Sequence, residues 1–313
     1  MKKYAFGVDI GGTTIKMGFF TTSGELLDTW EIVTRIENNG ANILEDISNS
    51  IKEKMSEKNI SKDDVEGIGL GVPGPVGADG TVYRCVNLGW EIINVVKRLE
   101  SLTGFKVKAG NDANVAALGE MWQGGGRGYD SIVMVTLGTG IGGGVIIDGH
   151  IIPGSNGAAG EIGHIHVNDN ETEVCGCGKK GCIEQYASAN GIVRVAKRYL
   201  EEHKDDVTSL RDVDRLTSKV IFEEAEKGDI VAVVVIQLVG EMLGKVLSYV
   251  ASVVNPEAFV IGGGMSKAGP MLIETIKKYF RLYSFHATTE TEFKLAELEN
   301  AAGIYGAAKM VVD

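Results

Sequence analysis

Apolar residues along this chain fall into runs of two lengths, and together they predict a mixed α/β fold. Short apolar runs bounded by glycine-rich turns predict strands at residues 4–10 and 15–20, and further strands beginning near residues 67, 135 and 258. Longer segments carry apolar residues at helical spacing. They predict helices over residues 43–58, 189–202, 214–227, 230–254 and 269–281, with small-residue helices near 110–120 and 300–310.

Residues 230–254 form the longest apolar stretch of the chain. It carries Gln237, Glu241 and Lys245 at helical spacing, so it predicts a buried helix and not a membrane span. Met1, Lys2 and Lys3 lead directly into a strand-like run, without the long apolar core of a secretory segment. We therefore expect a cytoplasmic location.

Charge and glycine content narrow the classes of function. The 42 acidic residues outnumber the 31 basic ones and give a formal charge of −11, which argues against binding nucleic acid or anionic membranes. Any phosphate would then have to be held by the backbone. The 43 glycines are about twice the usual share of roughly 7% and cluster in short motifs. A length of 313 residues predicts two domains.

Two glycine-rich turns follow predicted strands. The first strand carries Asp9 near its end, and the residues Gly11, Gly12, Thr13 and Thr14 then form a turn that offers N–H groups and hydroxyls to a phosphate. An ordinary β-hairpin would show the same pattern. Residues 135–149 repeat this strand, turn and strand, with the turn at Gly138, Thr139 and Gly140. The repetition predicts two related halves that face each other across a cleft.

Three of the four cysteines lie in one glycine-rich segment as CxCx₄C, at Cys175, Cys177 and Cys182. Three thiolates and one imidazole complete the closed tetrahedral shell that Zn²⁺ prefers in structural sites. Spacing alone leaves His164 and His166 as alternatives for the fourth ligand. A knuckle without metal stays open, whereas a disulfide conflicts with the geometry of cysteines one residue apart.

Carboxylates stand at both ends of this segment and at the start of a predicted helix. Glu161 and Glu184 flank the metal segment, where a rigid loop would present them to a polyhydroxylated ligand. Asn111 or Asp112 could be only an N-cap, but a carboxylate at the C-terminal end of a strand is also a candidate general base. The Gly74 loop is either a tight turn or a backbone surface for a sugar, and residues 258–265 could be a plain βα turn.

Four segments resemble the ROK family (repressor, open reading frame, kinase) of the sugar kinase, actin and heat-shock ATPase superfamily. They are DIGGTTIK at 9–16, LGTGIGGG at 137–144, VIGGGM at 260–265, and the stretch 161–184 that contains CGCGKKGCIE. The resemblance runs over essentially the whole chain and within the family is strongest to the bacterial glucokinases. It implies a two-domain actin-like or ribonuclease H-like ATPase fold with an interdomain cleft and a zinc loop. The expected domains are 1–117 plus 300–313, and 118–299.

The resemblance implies ATP-dependent phosphorylation of glucose with Mg²⁺ as cofactor, and it assigns residues to that reaction. Asp112 is the expected general base. The expected sugar ligands are Gly74, Asn87, Asn111, Asp112, Glu161, His164 and Glu184. The expected nucleotide and Mg²⁺ positions are Asp9, Gly11, Gly12, Thr13, Thr14, Lys16, Gly138, Thr139 and Gly140, with Gly262, Gly263 and Gly264 for the adenosine. The expected structural zinc ligands are His164, Cys175, Cys177 and Cys182.

Two rival functions share the family. A kinase for another sugar, such as N-acetylmannosamine, allose or fructose, would carry every motif quoted. A sugar-responsive repressor would need a DNA-binding module, for which the first predicted strand at Tyr4 leaves no room ahead of it. The expected partners are a small sugar and ATP, with a homodimer or homotetramer as the assembly and no nucleic acid or membrane.

Overall fold

The computed structural model describes residues 2–268 and 270–312. The strands are β1 Tyr4–Ile10, β2 Thr14–Thr21, β3 Leu26–Val33, β4 Val65–Val72, β5 Thr81–Val82, β6 Ile93–Asn94, β7 Val107–Asn111, β8 Ile132–Leu137, β9 Ile141–Ile147, β10 His150–Ile151, β11 Ala258–Gly262 and β12 Glu292–Leu295. The helices are α1 Glu37–Gly40, α2 Ile43–Glu57, α3 Val95–Thr103, α4 Asp112–Gln123, α5 Glu184–Ala187, α6 Ala189–Glu202, α7 Ser218–Glu226, α8 Ile230–Val254, α9 Pro270–Tyr283 and α10 Ala302–Val312.

The chain divides into two compact units. Unit 1 comprises Met1–Ile132, Gly144–Gly160 and Glu297–Asp313, and unit 2 comprises Val133–Gly143 and Glu161–Ala296. The boundary expected from sequence at residue 117 falls inside α4, which stays whole in unit 1 because it packs along α10. Assignment of two folding domains remains a prediction.

A five-stranded mixed sheet in the order β3-β2-β1-β4-β7 is the centre of unit 1. Strands β1 and β2 pair antiparallel around the predicted glycine turn, and β1 pairs parallel with β4. Both faces of β1 and β4 are covered, so their side chains are almost all buried, as in continuous apolar strands. Helix α2 closes one face with its buried apolar residues Ile43, Leu44, Ile47 and Ile51.

Helix α10 lies against β1, β4 and α4, and glycine makes this close packing possible. A methyl group on Gly306 would collide with the carbonyl oxygen of Val115 in α4, and one on Gly69 would collide with that of Ala307. Removing the side chain lets the backbones approach, so the small-residue composition of residues 300–310 is a packing requirement.

The second sheet has the order β10-β9-β8-β11-β12. When the strands of each sheet are numbered one to five in chain order, both sheets have the same spatial order, 3-2-1-4-5. This confirms the predicted repetition of one structural plan. Helix α8, with the predicted bounds Ile230–Val254, packs against α7 and α9. It is long and apolar enough to cross a membrane by length and composition, but 56% of its most apolar window is buried, as in the core helix of a globular protein.

Two predicted elements differ from the structure. The helix predicted over 214–227 begins only at Ser218, because the Thr217 hydroxyl caps it by accepting a hydrogen bond from Val220 N. The sequence places the glycines 262–264 at the N-terminus of the helix predicted over 269–281, whereas residues Gly264–Ala268 form a 3₁₀ turn between β11 and α9. The predicted helix start at Gly269 lies outside the described residues, as do Met1 and Asp313 at the ends of the expected domains.

Candidate active site and metal centre

The first glycine turn is a hairpin tip whose outer residues are exposed. Gly11 N donates to Thr14 O over 3.0 Å, and the Thr34 hydroxyl donates to Gly11 O over 2.7 Å, so the turn is held from both sides. Gly12 and Thr13 at the tip remain exposed to solvent. The turn therefore presents backbone N–H groups and a hydroxyl, as phosphate binding by an acidic protein requires.

Asp9 lies on β1 directly before this turn, opposite Lys16 on β2. Burial and, to a lesser extent, the nearby negative charge of Asp112 raise the pKa of Asp9 to about 6, while Lys16 opposes the shift. Carboxylates with raised pKa values are typical of functional sites, because a bound cation can offset the repulsion between them. The Lys16 ammonium donates to Asn300 O at 3.3 Å.

Asn111 and Asp112 lie where β7 ends and α4 begins. The Asn111 side-chain oxygen accepts hydrogen bonds from Ala113 N and Asn114 N, so Asn111 is the N-cap of α4. Its amide donates to Gly74 O at 3.2 Å, which ties the Gly74 loop to the same place. Gly74 has φ +94°, a left-handed conformation that glycine adopts without strain.

Asn87 belongs to a short 3₁₀ turn, Val86–Leu88, and is exposed. A Cβ built on Gly12 would lie 4.0 Å from the Asn87 Cβ, so Asn87 borders the hairpin tip. Unit 1 thus gathers seven of the expected positions around the ends of β1, β4 and β7. They are Asp9, Gly11, Gly12, Gly74, Asn87, Asn111 and Asp112.

The second glycine turn, in unit 2, is supported by two segments. Gly138 N donates to Gly140 O, and Ala189 N at the start of α6 donates to Gly138 O over 2.8 Å. Thr139 at the tip is exposed. Beside it, Gly262 is buried, while Gly263, with φ +85°, lies so close to Leu137 that a side chain would collide with that residue's backbone. The turns after β8 and β11 are therefore neighbours.

The side chains of His164, Cys175, Cys177 and Cys182 meet in unit 2, and their candidate ligand atoms all lie within 4.8 Å of one another. Cys177 Sγ and Cys182 Sγ are 3.6 Å apart, and Cys175 Sγ lies 3.8 Å from His164 Nδ1. Tetrahedral zinc with bonds of about 2.0–2.3 Å separates its ligands by roughly 3.7 Å. The donor set and its spacing therefore fit zinc.

His166 does not join this cluster. Its Nδ1 faces Lys180 O at 2.9 Å and its Nε2 faces Asp169 at 2.9 Å, so both ring nitrogens already have partners. His164, in contrast, directs Nδ1 at the thiols and leaves Nε2 on the other side of the ring. The structure therefore groups His164, and not His166, with the three cysteines.

The two flanking carboxylates both lie near the His164 imidazole. Glu161 Oε2 is 3.9 Å from His164 Nε2, and Glu184 Oε1 is 3.7 Å from His164 Nδ1. Glu184 also accepts hydrogen bonds from Cys175 Sγ at 3.0 Å and from Ile141 N at 3.3 Å. One carboxylate thus connects the metal cluster to the end of the second glycine turn.

The thiols carry pKa values shaped by their surroundings. Burial raises the pKa of Cys175 to about 12, whereas a hydrogen bond from the Lys179 backbone lowers the pKa of exposed Cys177. Metal ligands must be thiolates, so binding to this cluster would release protons and depend on pH.

Two further features of unit 2, a cavity and a buried ion pair, were not predicted from the sequence. A cavity of about 520 Å³ in unit 2 is lined by residues of α6 and of the segment before α7, including Ala189, Lys197 and Arg215. A buried carboxylate, Glu171, is bound by Arg198 of α6. No sequence motif marks the cavity. The ion pair joins residues 27 positions apart, so local spacing does not predict it.

The repeated sheet plan, with a glycine turn after the first strand of each sheet, defines an α/β protein of the actin-like ATPase fold. The ROK family model matches residues 5–313, and the chain belongs to the ROK family. Glucokinase from Halalkalibacterium halodurans is 44% identical over 99% of this chain and 95% of that protein. Glucokinase from Thermotoga maritima is 34% identical over 97% of this chain and 96% of that protein.

A solved structure shares the fold at similar length. The ROK family glucokinase from Streptomyces griseus, in complex with glucose and AMPPNP, is 35% identical with a TM-score of 0.70 and covers 98% of each chain.

Proposed function

We propose that this protein transfers the γ-phosphate of ATP to glucose and forms glucose 6-phosphate. The observation that carries the proposal is the arrangement of Glu161 and Glu184 about one imidazole beside a four-ligand metal cluster. Such a set offers several fixed acceptors to sugar hydroxyls. Full-length similarity to glucokinases, and to one solved with glucose and AMPPNP, supports the same sugar and nucleotide here.

Asp112 is the proposed general base, which accepts the proton of the attacking O6 hydroxyl. Its place at the first residue of α4 fixes its backbone, and the Asn111 cap holds that helix start. Asn111, with the Gly74 backbone bonded to it, and Asn87 are proposed to bind sugar hydroxyls. In unit 2, Glu161, His164 Nε2 and Glu184 have the same proposed task.

The two glycine turns are the proposed phosphate-binding elements. Gly11–Thr14 and Gly138–Gly140 supply N–H groups and hydroxyls, and Lys16 adds a positive charge. Asp9 is the proposed carboxylate for Mg²⁺, directly or through water. Mg²⁺ supplies charge neutralisation for the transferring phosphoryl group.

The nucleoside is proposed to lie beside Gly262–Gly264 and the cavity that contains Lys197 and Arg215. This cavity includes Ala189, whose N–H bonds to Gly138 O, so it adjoins the second phosphate-binding turn. Its volume of about 520 Å³ is within the usual range for small-molecule sites.

Zinc is the proposed structural metal. The cluster offers four protein ligands and leaves no position for a reactive water, so the metal orders the loop that carries Glu184. His164 would ligate through Nδ1 and keep Nε2–H as a hydrogen-bond donor for the sugar.

A coupled ADP-release assay on five sugars tests the proposed substrate. Glucose, N-acetylmannosamine, N-acetylglucosamine, allose and fructose are compared at equal concentrations with ATP and Mg²⁺. We expect kcat/KM for glucose to exceed the others by at least ~10²-fold, because an altered hydroxyl leaves unsatisfied an acceptor that the bound sugar shields from water.

The other outcomes of this assay would assign a different function. If N-acetylmannosamine is the best substrate, the protein is an N-acetylhexosamine kinase and not a glucokinase. If no sugar is turned over, the result favours a sugar-sensing protein. We further propose a cytoplasmic location and a homodimer or homotetramer, an assembly that light scattering of the purified protein measures directly.

A further inference from the structure

A buried ion-pair network connects helix α6 to the segment 161–184, which contains the metal cluster and is called the metal loop below. The Glu171 side chain has no solvent exposure and accepts two hydrogen bonds from Arg198, both of 2.8 Å. It also accepts hydrogen bonds from the Tyr186 hydroxyl at 2.5 Å and from two backbone N–H groups, at Thr172 and Glu173. A buried carboxylate with this many donors is fully satisfied and rigid.

Arg194 extends the network on the same face of α6, four residues before Arg198. Its guanidinium donates twice to Gln185 O, at 3.1 and 2.7 Å, and once to Glu173 at 2.8 Å. The backbone of the residue after Glu184 is thereby held by a planar fork.

Gln185 carries the connection into the metal cluster. Its side-chain oxygen accepts from Cys182 N at 3.1 Å, and its amide donates to Glu173 O at 3.1 Å. The network therefore holds Cys182, which belongs to the metal cluster, together with the backbone at Glu173 and at Gln185.

Glu184 needs such external support. It begins α5, a single turn of four residues, Glu184–Ala187. An isolated turn of this length is not stable, because nucleation fixes several dihedral angles for one hydrogen bond. Its orientation must then come from tertiary contacts. Cys175 Sγ and Ile141 N bind the Glu184 carboxylate itself, and Arg194 and, through Glu171, Arg198 hold the next two residues, 185 and 186.

We propose that Arg194 and Arg198 are positioning residues that aim Glu184 at the sugar and hold the metal loop on α6. This inference rests on the proposed function only in that Glu184 binds the acceptor sugar. Neither arginine touches substrate in this proposal, so each acts through Gln185, Tyr186 and Glu171.

Lysine substitutions separate positioning from charge. Arg194→Lys and Arg198→Lys keep the positive charge but lose the fork, since an ammonium cannot donate in two fixed parallel directions. Arg35→Lys is the matched control, because Arg35 makes a similar fork to Asp46 on the surface of unit 1. Each variant is compared with wild type for kcat, KM for glucose and for ATP, melting temperature, and the rate of zinc transfer to a chromogenic chelator.

We expect both α6 variants to raise KM for glucose by about tenfold or more while KM for ATP stays within about twofold. Zinc transfer should accelerate by about 10–100-fold, the factor by which losing an outer-shell partner usually weakens metal affinity. Arg35→Lys should leave all of these values at wild-type levels.

A merely structural role predicts a different result. Lower melting temperatures with unchanged KM for glucose and unchanged zinc transfer would overturn the proposal. If Arg198→Lys yields no folded protein, Arg194→Lys decides, since its pair with Glu173 is partly exposed. Wild-type protein inactive on glucose would contradict the proposed function, while the zinc-transfer rates would still test the positioning role.

Discussion

Asn111 and Asp112 are adjacent in sequence, yet their side chains have separable tasks. Asn111 caps α4 and holds the Gly74 loop in the structure, and it is also a proposed sugar ligand. The Asp112 carboxylate influences the ionisation of Asp9 and is the proposed base. A cap and a functional role are therefore compatible at this helix start, since Ala113 N donates to Asp112 Oδ1 as well as to Asn111 Oδ1.

Replacing Asp112 by asparagine keeps its shape and removes its basicity. We expect kcat to fall by at least ~10²-fold with little change in sugar affinity, because only proton transfer in the transition state is lost. Steady-state kinetics with a direct binding measurement on the variant make the comparison. Near-wild-type turnover would show that Asp112 is not the base.

Glu171 makes the stability of the metal loop depend on pH. The Arg198 guanidinium holds the pKa of Glu171 well below its ordinary value of 4.5, with further help from the Tyr186 hydroxyl and the Glu173 backbone N–H, and the Arg194 guanidinium lies 3.6 Å from the same carboxylate. A lowered pKa stabilises the fold above the ordinary value, and this contribution disappears as pH falls toward the folded-state pKa. Glu171→Gln should therefore be less stable than wild type at neutral pH.

The difference in melting temperature between Glu171→Gln and wild type should shrink as pH falls below 4.5. Scanning calorimetry from neutral pH downward measures it. An equal difference at every pH would mean that the variant loses packing and not a charge interaction.

At the scale of elements, the metal loop contains very little regular secondary structure although it carries proposed site residues. Between the 3₁₀ turn Ile162–His164 and α5 it contains isolated bridges, such as the one joining His166 and Cys182, but no helix or extended strand. Its order depends on the cluster and on the Arg198 network. Loss of the metal should then loosen Glu184 and His164 together.

Protein purified without added metal should contain close to one equivalent of zinc, since the closed ligand set gives tight binding. Elemental analysis is the direct check, and less than about half an equivalent would count against a structural site. Stripping the zinc should lower glucose affinity and increase proteolysis within residues 161–184, with cleavage elsewhere as the internal control.

At the scale of the whole molecule, substrate binding should be visible as stability. A ligand that binds only folded protein adds about 2.7 kcal/mol at a concentration of 100 Kd. Glucose and AMPPNP should each raise the melting temperature, and equal concentrations of sorbitol serve as the control for non-specific effects. No shift with glucose, together with a shift for another sugar, would reassign the acceptor.

Local patterns predicted most secondary structure because they depend on neighbours in sequence. Helix α8 has the predicted bounds, and β1 begins and ends where its apolar run does. The late start of α7 had a local signal as well, in the capping hydroxyl of Thr217. The spacing of Cys175, Cys177 and Cys182 is a local pattern too, and it was sufficient to predict a metal cluster.

Tertiary packing alone decided the rest, because periodicity fixes which face a residue occupies but not which distant residue meets it. His164 and His166 are equivalent by spacing, and only the folded loop gives His166 other partners at Lys180 and Asp169. The contact between Gly306 and Val115 and the bond between Glu171 and Arg198 join positions far apart in the chain. The sequence by itself determined the elements, the glycine turns and the ligand types, and folding determined which side chains aim Glu184.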